Sequence, residues 1–476
     1  MNASIFRPGV CLLAPRRSGP ADRDFNSAGE TKDITSVMLW SFIAALILRL
    51  ILIFVSGHHP DLINHIDWGE KFWQVGPKNF YENIFWRMSW PNQPLGTVCL
   101  FAFISKLSQW IFSFFWWLNI KIPLFPSLVV SFLEAKLNII LVKVPFVLAD
   151  LGIGWLIYRV VSDLFKNKEK AFWGSLLFLF NPIVIYNSAV WGQTDSLVNL
   201  LALSGLWFLF KKKYYLGIFC FLTGFYFKLS LIIWLPIAAL IVVRSKEFKK
   251  IILPLILTSL FLLLISLPFV HHGNVFTWLW YLYTNRILPR QGNMLSGNAF
   301  NFWNLVFGLD LSLKESIPLF GFAAKTWGVL MTGLTFFIFT YFYWSRKEKN
   351  FCSYLWLAIG FAFASFLFLT NMHERYLYPV FAPLTILAVA GKIKIRYLVI
   401  LSLIHLLNLY QLWWYPEIAW LKMVLEAGNF FISRLLSFTL ILIFFRFSFL
   451  YTRTRKTTVR YPPSAIRPPA EADSSK

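Results

Sequence analysis

The chain has 476 residues, of which 58% are hydrophobic and only 14% charged, and it carries a formal net charge of +23. A soluble domain of this length could not hide so much apolar side chain, so the bilayer must act as its solvent. The charge does not indicate nucleic acid: Lys and Arg fall in short segments between apolar runs, where they act as topology signals.

Taken in chain order, residues 1–35 are polar and basic and lack the apolar core and cleavage site of a secretory signal. They read as a disordered cytoplasmic tail, and residues 452–476 read as a second, basic one. Between them, 36–451 forms one membrane domain, and its first run, 36–56, is an uncleaved signal anchor. Basic clusters at 159–170, 211–213, 244–250, 346–349, 392–396 and 446–460 are expected to face the cytoplasm. The intervening runs then leave and return in pairs, which gives about twelve transmembrane helices in an all-α polytopic protein with both termini cytoplasmic. Several runs are only ~15 residues against the ~20 a span needs, so broken or re-entrant helices are expected. Between residues 57 and 159 an odd number of crossings is required, yet two candidates are visible, about 95–117 and 137–158. Cys11, Cys99, Cys220 and Cys352 are far apart and form neither a CxxC nor a metal-ligand spacing.

On this topology the unusual polar residues gather outside. The first external loop begins with His58, His59 and Asp61, and at helical spacing Leu62, Ile66, Gly69 and Trp73 share one face. Asn64, Asp67, Glu70 and Lys71 take the opposite, solvated face, as in a helix lying in the membrane interface. Asp61 starts that helix and is either its N-cap or a functional carboxylate. The following Trp90-Pro-Asn-Gln-Pro-Leu95 is explained sufficiently by an extended helix start.

Three ionisable residues lie in apolar surroundings, where a charge needs a partner or a cavity. Lys143 and Asp150 share one helix face if Pro145 does not break the helix, and serve as a structural pair or line a pathway. Lys228 stands alone. In Asn371-Met-His-Glu-Arg-Tyr376, Arg375 is the strongest candidate for a phosphate clamp, because guanidinium offers a fork of donors. An ion pair with Glu374 is the simpler alternative.

These residues carry a resemblance. Asp61 with Trp68, Lys143-x-Pro with Asp150, Asn181-Pro, the Trp191-Gly-Gln-Thr-Asp195 turn, Lys228 with Pro236, the segment from Asn298 through Asn301 to Trp303, and His373-Glu-Arg-Tyr376 occur in the order found in GT-C membrane glycosyltransferases. The chain resembles the mannosyl- and glucosyltransferase branch, although many of its members carry Tyr-Pro-Pro where this chain has Trp-Pro-Asn-Gln-Pro. The resemblance implies a GT-C-like helical bundle with an interfacial helix in the first external loop. It implies an inverting hexosyltransferase, moving mannose or glucose from a polyprenyl-phosphate sugar to a hydroxyl on a lipid or glycan acceptor at the extracytoplasmic side. Asp61 would be the catalytic base. Arg375, His373 and Lys228 would bind the donor phosphate, and Trp68, Trp191, Gln193, Asp195, Glu374, Tyr376 and Asn301 the substrate. No metal and no cofactor is implied. A lipid-linked glycan ligase or polymerase, or a lipid-linked sugar transporter, is the competing class.

Overall fold

A computed structural model describes residues 22–55, 57–346 and 350–453, with side chains from residue 36. Of the expected disordered tails at 1–35 and 452–476, residues 1–21 and 454–476 lie outside the described residues, as do parts of the basic clusters at 346–349 and 446–460, whereas residues 22–35 are helical and continue into the first span.

The protein is an all-α polytopic membrane protein. Among the described residues, seven helices are long and apolar enough to cross a membrane, or eight if the pair Lys168–Leu179 and Pro182–Trp191, bent by 50°, is one span. Four shorter apolar helices, Asp195–Phe210, Tyr214–Phe227, Leu229–Ser245 and Ile395–Tyr410, accompany them. At 1.5 Å per residue these reach only part-way across a core of about 30 Å. The final helix, Ala419–Arg453, is broken by non-helical backbone from Ala427 to Phe430, which still leaves a full-length run beyond the kink.

Phe351–Phe368 is the axis of the bundle, with every residue buried. It is apolar on all sides because protein, not lipid, surrounds it. By contrast Lys249–Ser266 and Ala324–Trp344 expose rows of Leu, Ile and Phe, as lipid-facing helices do.

The segment after the first span is organised around the long helix Ser127–Phe165. Its Lys143 donates to the carbonyls of Gly57 (3.0 Å) and Val190 (2.8 Å). Farther along, Asp163 pairs with Lys211 at 3.0 Å. The 143–163 stretch, about 30 Å of helix, therefore carries the chain from the level of the first loop to that of a basic turn. Residues 127–142 continue past that level, paired with Leu95–Lys121.

Asp150 does not pair with Lys143. It takes Arg49 of the first span at 3.1 Å, Ser188 Oγ at 2.5 Å and Tyr378 Oη at 3.1 Å. Arg49 also donates to the Leu179 carbonyl at 2.8 Å. A buried ion pair survives in such a place only with its remaining hydrogen-bonding capacity satisfied, and here four segments supply the partners.

Candidate functional site

Pro60–Val75 is the amphipathic helix expected after the first span, but protein covers its middle, burying Leu62, His65, Asp67, Trp68 and Gly69, while Trp73 of the apolar face is exposed. Leu62 and Gly69 face inward as the wheel requires, while Asp67, on the face expected to be solvated, is also buried. The cause is the returning loop: the Arg87 backbone N–H donates to Asp67 at 2.9 Å, and its guanidinium binds Glu70 at 2.6 Å. The helix is capped by His59, whose ring nitrogen accepts from the Asp61 N–H at 3.1 Å. That leaves the Asp61 carboxylate free of the cap and turned to the bundle.

Asp61 accepts from Gln193 Nε2 at 2.7 Å and lies 3.8 Å from Arg375. Gln193 is presented by a π-helical turn, Tyr186–Trp191, followed by Gly192 at φ +87°, a left-handed value that favours glycine. A Cβ at Gly192 would also stand 2.6 Å from the Leu62 Cδ1, so that side chain would have to shift. Asp195 opens the next helix and binds Lys228 at 2.7 Å, with Arg375 at 4.0 Å on its other oxygen. Arg375 is held by Glu374 at 2.8 Å. The loop around Asn298 pairs with His373 and fixes this turn from behind. Arg375 is thus the hub of three carboxylates, and its Nε has no hydrogen-bond partner among the described residues.

Asp61, Gln193, Lys228 and Arg375 line a polar cavity of about 200 Å³, while Asp195 lines a neighbouring cavity and Glu374 lines neither. Sequence reasoning missed half of the polar cavity's wall. Asn64, Asn92, Gln93 and Gln291 contribute carboxamides, and Ser89 and Ser230 hydroxyls, beside Trp68, His373 and Tyr376. The segment from Trp90, read as a plain helix start, is in fact part of the wall. Gln291 Nε2 donates to the Asn92 carbonyl at 2.7 Å, and the Arg290 guanidinium lies 4.1 Å over the Trp90 ring, so the two loops that carry them lock together beside the cavity. Adjoining it is an apolar cavity of about 270 Å³, walled by residues such as Leu231, Ile233, Trp234, Phe366 and Leu369. Leu229, Ser230, Gln291 and Tyr376 border both spaces.

Not every expected site residue arrives here. Trp191 is buried between His59 and Trp413, with ring centroids 4.5 and 5.5 Å away. Asn301 is fully buried and caps the short helix Phe302–Phe307, accepting from the Asn304 N–H at 3.1 Å. Lys143 ties the first loop to the Val190 carbonyl, outside the cavity lining.

Electrostatics shape what the cavity can hold. Burial alone would raise the Asp61 pKa, but the Arg375 charge, together with smaller contributions from His59, His65 and the Gln193 hydrogen bond, outweighs it and holds the carboxyl well below the usual range. Burial pushes His373 down to about 3 and His65 to about 3, so both are neutral near pH 7. Only Lys228 and Arg375 remain as cations, and Asp61, Asp195 and Glu374 already surround them. An anion arriving here would find its positive partners occupied. Among the described residues no group of three or more His, Cys, Asp or Glu is placed to hold a metal ion.

The class is therefore a polytopic helical membrane protein with a carboxamide-rich cavity, its two cations already paired with carboxylates, opening onto an apolar one. The family described as PIG-U, GPI transamidase subunit PIG-U, matches residues 112–308, less than half of the chain. No curated protein matches the chain.

This similarity corrects the expected activity. A subunit of a GPI transamidase is not a glycosyltransferase, so hexosyl transfer from a polyprenyl-phosphate sugar to a lipid or glycan acceptor is not supported, nor are those substrates as partners. Of the partners expected, the lipid bilayer alone stands. With the reaction goes the role of base for Asp61, whose lowered pKa makes it a weak proton acceptor.

Proposed function

We propose that this chain is a binding subunit of a membrane-embedded GPI transamidase-type complex, holding the glycan headgroup of a GPI-type glycolipid. The observation that carries this reading is the junction of the two cavities. Carboxamides and hydroxyls both donate and accept, which suits the vicinal hydroxyls of a sugar or cyclitol. The paired ions offer charge-assisted contacts, and the apolar neighbour accommodates hydrocarbon. The PIG-U similarity supplies the kind of assembly. The basic clusters support cytoplasmic termini with the cavity on the opposite side.

The test is native mass spectrometry of the chain in nanodiscs, offered a GPI-type glycolipid and a lipid with the same chains but no sugar. Retention of the glycolipid at least tenfold tighter is expected, and equal retention overturns the ligand. Isolation in a mild detergent should yield a stoichiometric multi-protein complex with transamidase activity. A lone chain in every such preparation overturns the subunit reading.

A further inference from the structure

At the opposite end of the helix that delivers Lys228 lies a second crevice. Tyr214–Phe227 begins beside the turn Lys211, Lys212, Lys213, about 20 Å of helix away from the glycan cavity. It packs against Lys249–Ser266, which begins with Lys249 and Lys250. Between the two helix starts is a crevice of about 460 Å³, lined by Lys212, Lys213, Lys249 and Lys250 with Tyr215 and Leu253. One carboxylate, Glu247, bridges Lys212 at 2.6 Å and Lys250 at 3.0 Å. Lys213 and Lys249 have no carboxylate partner among the described residues. The crevice opens along a strip that faces lipid: Tyr215 and Leu216 on one helix, and Leu253, Ile256 and Leu260 on the other, are each 48–57% exposed.

We infer that this crevice binds one anionic phospholipid, its phosphate between Lys213 and Lys249 and its chains along the Leu216, Ile256 and Leu260 strip. A basic recess at a helix boundary recognises a lipid phosphate by the same electrostatics that draw polybasic segments to anionic leaflets. The adjoining apolar strip distinguishes a lipid headgroup from free phosphate, which would gain nothing from it. The site is separate from the glycan cavity and does not depend on what that cavity binds.

The experiment is native mass spectrometry of the purified full chain with dioleoyl phosphatidate, dioleoyl phosphatidylcholine or inorganic phosphate added. One phosphatidate should be retained at a concentration at least tenfold below that needed for phosphatidylcholine, and inorganic phosphate should not displace it. Lys213→Gln with Lys249→Gln should cut phosphatidate retention about tenfold, with an unchanged melting temperature in lipid-free detergent. Arg375→Gln, in the other cavity, should leave it unchanged. Equal retention of the two lipids, displacement by phosphate, or full retention in a folded double variant overturns the proposal.

Discussion

Arg375 is the residue on which the cavity turns, because its planar fork meets Asp61, Asp195 and Glu374 at 2.8–4.0 Å. Lysine keeps the charge but offers a single point, so it can satisfy one of the three. Hydrogen bonds to charged groups contribute about 1.5–3 kcal/mol each. Arg375→Lys is therefore expected to weaken glycolipid retention by about 10- to 100-fold, read by the same mass spectrometry. Parent-like affinity would remove Arg375 from the binding role. The histidines around the cavity give a second prediction. His65 and His373 titrate near 3 and His59 near 4, against 6.5 when exposed. Between those values the unfolded chain binds protons that the folded chain does not, so stability is complete above about pH 6.5 and falls as pH falls through that window. The melting temperature should drop between pH 7 and pH 5. His65→Phe keeps the stack on Phe101, whose ring lies 4.3 Å away, and removes one titrating group. It should make the drop shallower, and an unaltered slope would show that His65 is not part of it.

At the scale of the element, the interfacial helix Pro60–Val75 positions Asp61 only because it packs closely on Leu95–Lys121. A Cβ at Gly69 would lie 2.3 Å from the Phe101 carbonyl oxygen, a backbone atom that cannot swing away. Gly69→Ala must push the two helices apart, at a cost of about 1–3 kcal/mol for such overpacking. A lower melting temperature together with weaker glycolipid retention is expected. Loss of stability with full retention would uncouple the helix from the cavity. The sequence signal for this helix was sound in period but incomplete. Its wheel gave the Leu62 and Gly69 face, whereas burial of Asp67 depends on Arg87, a residue of the returning loop that periodicity does not report.

At the scale of the whole molecule, the odd crossing expected between residues 57 and 159 is predicted to fall to the 143–163 stretch, since Lys143 bonds the Gly57 carbonyl and Asp163 pairs with Lys211. On that prediction Leu95–Lys121 and residues 127–142 would form a hairpin that starts and ends on the Gly57 side. Leu124 at its tip is 93% exposed. A Leu124→Cys variant in intact vesicles should react with an impermeant maleimide from the same side as Asn293→Cys, each read above the parent's own cysteines. Labelling from opposite sides would make Leu95–Lys121 a true span and overturn the hairpin.

Composition and the spacing of basic clusters were enough to determine a helical membrane protein with short and broken helices, because bilayer thickness and backbone hydrogen bonding impose those features on any such sequence. Single residues with a high cost of burial, Lys228 and Asp150 among them, also declared themselves. Arg49 carried the same signal, a guanidinium inside an apolar run, and could have been read from it. What each of them meets was decided only in three dimensions. Asp150 takes Arg49 from 101 positions away, Lys228 takes Asp195, and the carboxamides of Asn92 and Gln291 converge from loops 199 positions apart. A charge announces by itself that it needs a partner, but which partner it finds depends on helix packing, and helix packing sets whether a cation stands free for a phosphate or is already neutralised.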